Sequence, residues 1–334
     1  MSAPRKVMVL ATGGTIATRT DDTGSAVARA TGAELVDAMS ARSDVQVEVD
    51  DVFRVGGYLM TLELMHELTL RARKHLSDAD LTGLVVTHGT DTIEETAYLL
   101  DLFLDDPRPV VLTGAQRPAD APDSDGPRNL TDAVTVAAHP TSRDLGALIA
   151  FGGAVFAARG TRKGHTVASD TFTAPSTGPL GSVRGEDVHL DLAPRRWPPL
   201  DLAALDFTGV RVDIAACYPG ADAVALRAFA DAGARGVVLE ATGAGNANET
   251  ICDAVADLTR SGVVVALSTR VSAGPVAAIY GNGGGTDLVA AGAVPTGVLR
   301  PSQARILLAA LLGTLGPGAD PGAVRDSFAA YATG

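Results

Sequence analysis

The sequence has no apolar stretch long enough to span a bilayer, only two cysteines, a single tryptophan and too little positive charge to balance its acids. Each shortage excludes something. Without a run of about 20 apolar residues, no membrane-spanning helix is expected. With 27 Lys and Arg against 39 Asp and Glu, the formal charge is −12 and no dense basic run offsets it, so nucleic acid is not an expected partner. Cys217 and Cys252 lack CxxC spacing and read as small buried hydrophobes without a chemical role. The six histidines show neither HxH nor HxxxH spacing, so no metal site is expected and no cofactor is assigned. The opening MSAPRKVMVLATGG has too short an apolar core for a secretory signal, and the chain reads as cytoplasmic.

What is present is a soluble globular composition, 46% hydrophobic and 20% charged, in 334 residues, a length that suggests two domains. Short β-branched runs recur with helical patterns between them: Val7 to Ala11, Gly83 to Thr87, Val110 to Thr113, Ala147 to Phe151, Val210 to Ala215, Gly236 to Glu240 and Val263 to Leu267. Such alternation implies an α/β fold whose mainly parallel sheets are flanked by helices. In the clearest unit, Leu84 to Thr113, a helix is expected to begin at Thr92 with Glu95 completing a capping box, and to place Ile93, Ala97, Leu100 and Leu104 on one face. The proline-rich stretch LDLAPRRWPPLDLAALD keeps no period, so residues 191–206 read as a linker between domains 1–190 and 207–334. Helical stretches at Ser302 to Gly313 and Pro321 to Ala330 close the chain.

In open parallel sheets, ligands bind outside the carboxyl ends of the strands. Three loops of unusual chemistry start there: Thr12-Gly13-Gly14-Thr15, Thr87-His88-Gly89-Thr90-Asp91-Thr92 and Thr113-Gly114-Ala115-Gln116-Arg117-Pro118. The first supplies neither the G-x-G-x-x-G of a dinucleotide site nor the Gly-Lys-Ser/Thr of a P-loop, so both nucleotide readings fall. A threonine hydroxyl is a weak nucleophile unless a base or charged neighbour activates it, and the second loop sets another hydroxyl beside a carboxylate. Taken singly, Thr90 reads as a turn residue and Asp91 as a helix cap.

Together, ATGGTIA, VVTHGTDTIEETAYLLD, PVVLTGAQRP, SDGPRNLTDAV and TFTAPSTGPLG resemble the bacterial-type asparaginase/glutaminase amidohydrolases, in the expected order over nearly the whole chain. The resemblance implies a larger N-terminal α/β domain, a smaller C-terminal one, and a homotetramer of paired dimers with sites between paired subunits. It implies that Thr15 is the nucleophile and that Thr90, Asp91 and Lys163 form a second catalytic cluster, although Lys163 by itself reads as a solvated loop lysine. It gives Ala115 the carbonyl that holds the leaving amide nitrogen, and Asn248 a place in the site of a neighbouring subunit. Helix capping explains Asn248 equally well. The substrate class implied is a small linear amide, L-asparagine first.

The likeness breaks in three places. Where the family carries a serine-bearing dipeptide for the substrate's α-carboxylate and α-ammonium, this chain reads Gly56-Gly57-Tyr58-Leu59. Gly57 retains a backbone N–H for substrate, and Tyr58 either closes the pocket or packs beneath its loop. The lid-like segment Ala17 to Ala30, which continues TRTDDTGSAVARA, has no tyrosine to polarise the nucleophile; Ser25 and Tyr58 are the candidates to replace it. The loop Ser272 to Gly285 holds no acid for the ammonium, which leaves Asp91 and Asn248. Asparagine hydrolysis, hydrolysis of a different small amide through the same threonines, and a non-catalytic ligand-binding relative are therefore all carried forward.

Overall fold

Val7 and Val9 turn to one side of the first strand and Met8 and Leu10 to the other, and all four are buried. A strand covered on both faces has no solvent side, which is why the run VMVLA is apolar throughout. The computed structural model describes residues 4–20, 26–40 and 42–333. It divides into two units, Met1–Pro199 and Leu200–Gly334.

In the first unit, β1 (Arg5–Gly13) is followed by β2 (Thr18–Thr20), β3 (Ala26–Ala28), α1 (Gly32–Ala38), β4 (Val45–Val55), α2 (Leu62–His75), β5 (Leu81–Thr87), α3 (Ile93–Phe103), β6 (Val110–Thr113), α4 (Gly126–Ala138) and β7 (Ala147–Phe151). Five short strands complete it: β8 (Ala154–Ala157), β9 (Arg162–Lys163), β10 (Phe172–Thr173), β11 (Gly181–Arg184) and β12 (Asp187–Leu190). The main sheet runs β12-β11-β8-β7-β6-β5-β1-β4. Strands β7, β6, β5, β1 and β4 are parallel, and β8, β11 and β12 add antiparallel pairs at one edge. Leu35, Leu130, Ala133 and Val134 of α1 and α4 cover one face. Leu68, Ala72, Ile93, Ala97 and Leu100 of α2 and α3 cover the other.

The capping box expected at Thr92 does not form. Thr92 is the N-cap residue of α3, but no side-chain cap is made, because its hydroxyl donates to Gly57 O at 2.6 Å in another loop. A capping box forms instead on α1, where Glu34 N donates to Thr31 Oγ1 at 3.2 Å and Thr31 N to Glu34 Oε2 at 2.7 Å. Of the lid-like segment, β2 and β3 form an antiparallel hairpin pairing Thr18 with Ala28 and Thr20 with Ala26. It is held by Ala119 N donating to Thr18 O and Thr20 N to Asp120 Oδ2, both at 2.8 Å. Ser25 lies outside the described residues.

The second unit holds β13 (Val212–Ala216), α5 (Val224–Asp231), β14 (Gly236–Ala241), α6 (Glu249–Arg260), β15 (Val264–Thr269), α7 (Gly285–Ala290), β16 (Val294–Pro295), α8 (Pro301–Leu315) and α9 (Pro321–Thr333). Its four strands are parallel in the order β13-β14-β15-β16. Leu226, Ile251, Val255 and Leu258 pack on one face, and α8 lies against β13, β14 and β15. Cys217 is buried and Cys252 half-buried, both as free thiols.

Residues 191–201 carry no helix or strand, yet part of this stretch is fixed to the first unit. The Trp197 ring is faced by the guanidiniums of Arg159 and Arg195, 4.1 and 4.9 Å from its centroid. Arg196 donates to Leu104 O at 3.0 Å and lies 3.7 Å from the half-buried Asp101 carboxylate. Partly desolvated cation–π pairs contribute about 0.5–2 kcal/mol each. Trp197→Leu is therefore expected to lower stability by about 1–3 kcal/mol, read as a lower urea midpoint at constant slope; an unchanged midpoint would show that the two arginines contribute nothing there.

Candidate active site

Because β4, β1, β5 and β6 are neighbours and all parallel, the loops that follow them start side by side. Gly13 pairs with Val55, Ala11 with Thr87, and Thr87 with Thr113 at the carboxyl ends. Three of these loops then meet backbone to backbone. A Cβ on Gly14 would stand 2.6 Å from Gly89 Cα, and one on Gly89 would stand 2.5 Å from Gly57 Cα. No side chain fits at that separation, so glycine is required at all three positions. Gly14 also adopts φ 78°, ψ −177°, a conformation open essentially to glycine alone.

The first turn is tied to its neighbours on both sides. Thr12 donates its hydroxyl to Thr87 O at 2.7 Å, Gly14 N donates to Val55 O at 2.9 Å, and Thr18 Oγ1 returns to Gly14 O at 2.9 Å. Thr15 follows as the first residue of a single 3₁₀ turn, half-buried, with the buried Ile16 and Ala17 anchoring that turn beneath it. Among the described residues its hydroxyl has no hydrogen-bond partner.

Across the Gly14–Gly89 contact lies a connected polar cluster. Thr90 is 3% exposed, and its Oγ1 accepts from Lys163 Nζ at 2.9 Å. Lys163 Nζ also donates to Asp91 Oδ1 at 2.7 Å, with the lysine side chain 18% and the aspartate side chain 54% exposed. The lysine comes from β9, where it pairs with Phe172 of β10, and its backbone N–H donates to Glu94 Oε2 at 2.6 Å. A lysine gripped at backbone and ammonium is not a solvated loop residue. The structure thus joins Thr90, Asp91 and Lys163 directly, and sets Thr15 on the adjoining loop without a hydrogen bond to them.

Other residues hold this arrangement in place, and most escaped the reading of the sequence. Asp125 accepts from Gln116 N at 3.0 Å and Arg117 N at 2.9 Å, and Asn129 Nδ2 donates to Gly114 O at 3.0 Å. Together they pin the loop after β6. The only sequence signal was SDGPRN, an Asx residue ahead of a Gly-Pro helix start, which reads as a plain cap. His88 is fully buried. Its Nδ1 faces Gly89 O at 2.8 Å, an acceptor only, so Nδ1 carries the proton and Nε2 accepts from the Thr96 hydroxyl at 2.9 Å. Burial pushes its pKa from the ordinary 6.5 down to about 4.

The remaining expected site residues are less uniform. Ala115 is fully buried, and among the described residues its carbonyl accepts no hydrogen bond. Gly57 touches Gly89, and its own carbonyl receives the Thr92 hydroxyl. Tyr58 is 74% exposed, its ring lying over Gly56, which rules out packing beneath the loop. Asn248 caps α6 in the second unit, Oδ1 accepting from Ile251 N at 2.9 Å and Nδ2 donating to Ala221 O at 2.8 Å. Of its two readings, the structure shows the cap. Among the described residues no group of three or more His, Cys, Asp or Glu side chains has the proximity to hold a metal, and no helix is long and apolar enough to cross a membrane.

Compared with known proteins, residues 6–196 match the family model for the asparaginase N-terminal domain, and residues 211–328 match that for the glutaminase/asparaginase C-terminal domain. The chain belongs to the asparaginase family. It is 32% identical to the L-asparaginase of Bacillus licheniformis over 97% of this chain and 99% of that one. It is 37% identical to a probable L-asparaginase of Deinococcus radiodurans over 93% and 94%. Among solved structures it resembles a probable cytoplasmic L-asparaginase from Campylobacter jejuni, with a TM-score of 0.85 and 29% identity over 97% of this chain and 99% of that one. The two-domain α/β architecture is that of this asparaginase structure.

Two outcomes test the site's construction. Gly89→Ala forces its new methyl into Gly57 and is expected to cost about 1–3 kcal/mol, seen as a lower melting temperature; an unchanged melt would mean that the loops separate freely. His88 binds its proton less readily when folded than when unfolded, so stability is expected to fall as pH drops from about 6.5 to about 4 and to level off below. The full loss is about 3 kcal/mol, and His88→Asn should flatten the melting-temperature profile between those limits. Parallel profiles for the two proteins would disprove the assignment.

Proposed function

We propose that this asparaginase-family amidohydrolase hydrolyses L-asparagine to L-aspartate and ammonia, with Thr15 as nucleophile and Thr90, Asp91 and Lys163 as the acid–base cluster. The observation that carries the reading is Lys163 Nζ shared between Thr90 Oγ1 and Asp91 Oδ1, directly across a glycine contact from the turn that bears Thr15. Thr15 Oγ1 attacks the side-chain carbonyl carbon, and its proton passes to the departing nitrogen. The C–N bond breaks, ammonia leaves, and an ester to Thr15 remains. Water, giving up a proton through Thr90 to Lys163 in its amine form, then adds to the ester carbonyl, and that proton returns to the Thr15 oxygen as the acid is released. Backbone N–H groups of the glycine-rich turns stabilise the oxyanion, and the unpartnered Ala115 carbonyl receives the leaving NH₂. Asp91, more than half exposed, faces the substrate's α-ammonium, with Gly57, Tyr58 and a neighbouring subunit's Asn248 as the remaining recognition groups.

Within this reading the chain forms a homotetramer of paired dimers, residues 191–206 link its domains, and its compartment is the cytoplasm, the last supported by the cytoplasmic description of the Campylobacter protein. A second reading, hydrolysis of a different small amide, is favoured by one observation: Gly56 and Gly57 present no recognising side chain, and Tyr58 stands in solvent beside them.

Ammonia release from L-asparagine, L-glutamine and amides with a blocked α-amino group separates the readings. Turnover of asparagine is expected, with Thr15→Ala and Lys163→Met each lowering kcat by about 10²–10⁴-fold. Turnover of a blocked amide alone would select the second reading, and silence with every amide would select a ligand-binding relative.

A further inference from the structure

A primary amide has one acceptor and one donor end, so fixing either end fixes the other. Gln116 is fixed at both. Its Nε2 donates to Thr166 O at 3.2 Å, and a backbone carbonyl only accepts, so Oε1 must be the atom that faces Thr90. The Thr90 hydroxyl is therefore the donor in the 2.9 Å contact with Gln116 Oε1. On its other side the same oxygen receives the Lys163 ammonium, which has only donors to offer. The two contacts together leave the Thr90 proton one direction, toward Gln116.

From this geometry we infer that Gln116 is a positioning residue for the acid–base cluster, holding the Thr90 proton away from Lys163 so that threonine rests neutral and lysine rests charged. The inference rests on the hydrolytic reading above and deepens it. Lys163 can accept a proton only after its ammonium has given one up to solvent; Thr90 then releases Gln116, turns toward the freed amine and relays the proton from water, and the strength of the Gln116 contact sets how readily it turns. Gln116 is itself held from behind, its backbone N–H on Asp125, so its side chain does not follow Thr90 when the hydroxyl turns. It also bridges the loops after β6 and β9 to the loop after β5, and thus registers the lysine hairpin against the threonine. The other titratable groups around the cluster are Asp91 on the lysine ammonium, Glu94 on the lysine backbone, Asp125 on the glutamine backbone, His165 within the lysine's own loop and the buried His88 two residues before Thr90. All of them remain in the variants below.

The test is the pH profile of kcat for Gln116→Met, which keeps the volume and removes the acceptor, and Gln116→Glu, which keeps the acceptor and adds a charge. Gln116→Met is expected to lower kcat about tenfold with KM changed less than twofold. Gln116→Glu is expected to move the limb that reports deprotonation of the cluster upward by about one pH unit, because a carboxylate beside the ammonium favours its charged form. A merely structural role would lower the whole profile without moving the limb. Wild-type kcat in both folded variants, or a limb that stays in place, overturns the inference. If Thr15→Ala is inactive in the same assay, that failure touches Gln116 alone; if Thr15→Ala retains full activity, the threonine-nucleophile reading on which this inference rests has failed.

Discussion

Everything at the carboxyl end of the main sheet depends on one steric condition, that Gly14, Gly57 and Gly89 carry no side chain. Parallel strands stand near 4.8 Å apart, and loops leaving their ends ordinarily diverge to make room for side chains. Here they converge. The contact brings the turn that bears Thr15 against the loop that bears Thr90 and Asp91, and brings the Gly56–Tyr58 corner against that second loop. Thr12 on Thr87 O and Thr92 on Gly57 O then lock the three loops with hydroxyl-to-carbonyl bonds that need the same close approach.

The second layer of organisation is electrostatic. The first unit sets a lone ammonium between a hydroxyl and a carboxylate, and surrounds that group with side chains whose hydrogen bonds run to backbone: Glu94 to Lys163 N, Asp125 to Gln116 N and Arg117 N, Asn129 to Gly114 O. Carboxylates occupied by backbone N–H groups hold loops without competing for the lysine. Asp91 alone among these acids reaches the ammonium while remaining largely in solvent, which leaves it open to a ligand.

The parallel core was legible in the sequence because its strands are buried on both faces and therefore read as unbroken apolar runs; β5, β6, β7 and β14 fall where those runs lie. Strands β8 to β12 were not, since two- to four-residue antiparallel pairs leave no period to detect. The Thr92 capping box misled for a physical reason: a local hydrogen bond was displaced by a tertiary one to Gly57. Lys163 was recognisable only through family resemblance, because nothing in RGTRKGH shows that a strand pair will carry it to Thr90. Gln116, Asp125 and Asn129 act through backbone atoms of distant loops, and such partners have no residue-type signature. Asn248 did carry one, the helix cap, and its amide makes that cap.

The lysine reaches the cluster from a two-residue ladder outside the main sheet, with its backbone tied to Glu94 and its ammonium already on two acceptors. A free lysine side chain carries about 2 kcal/mol of rotamer entropy. In this chain that freedom is surrendered during folding, so a ligand arriving at this cluster meets an ordered charge and does not have to organise one.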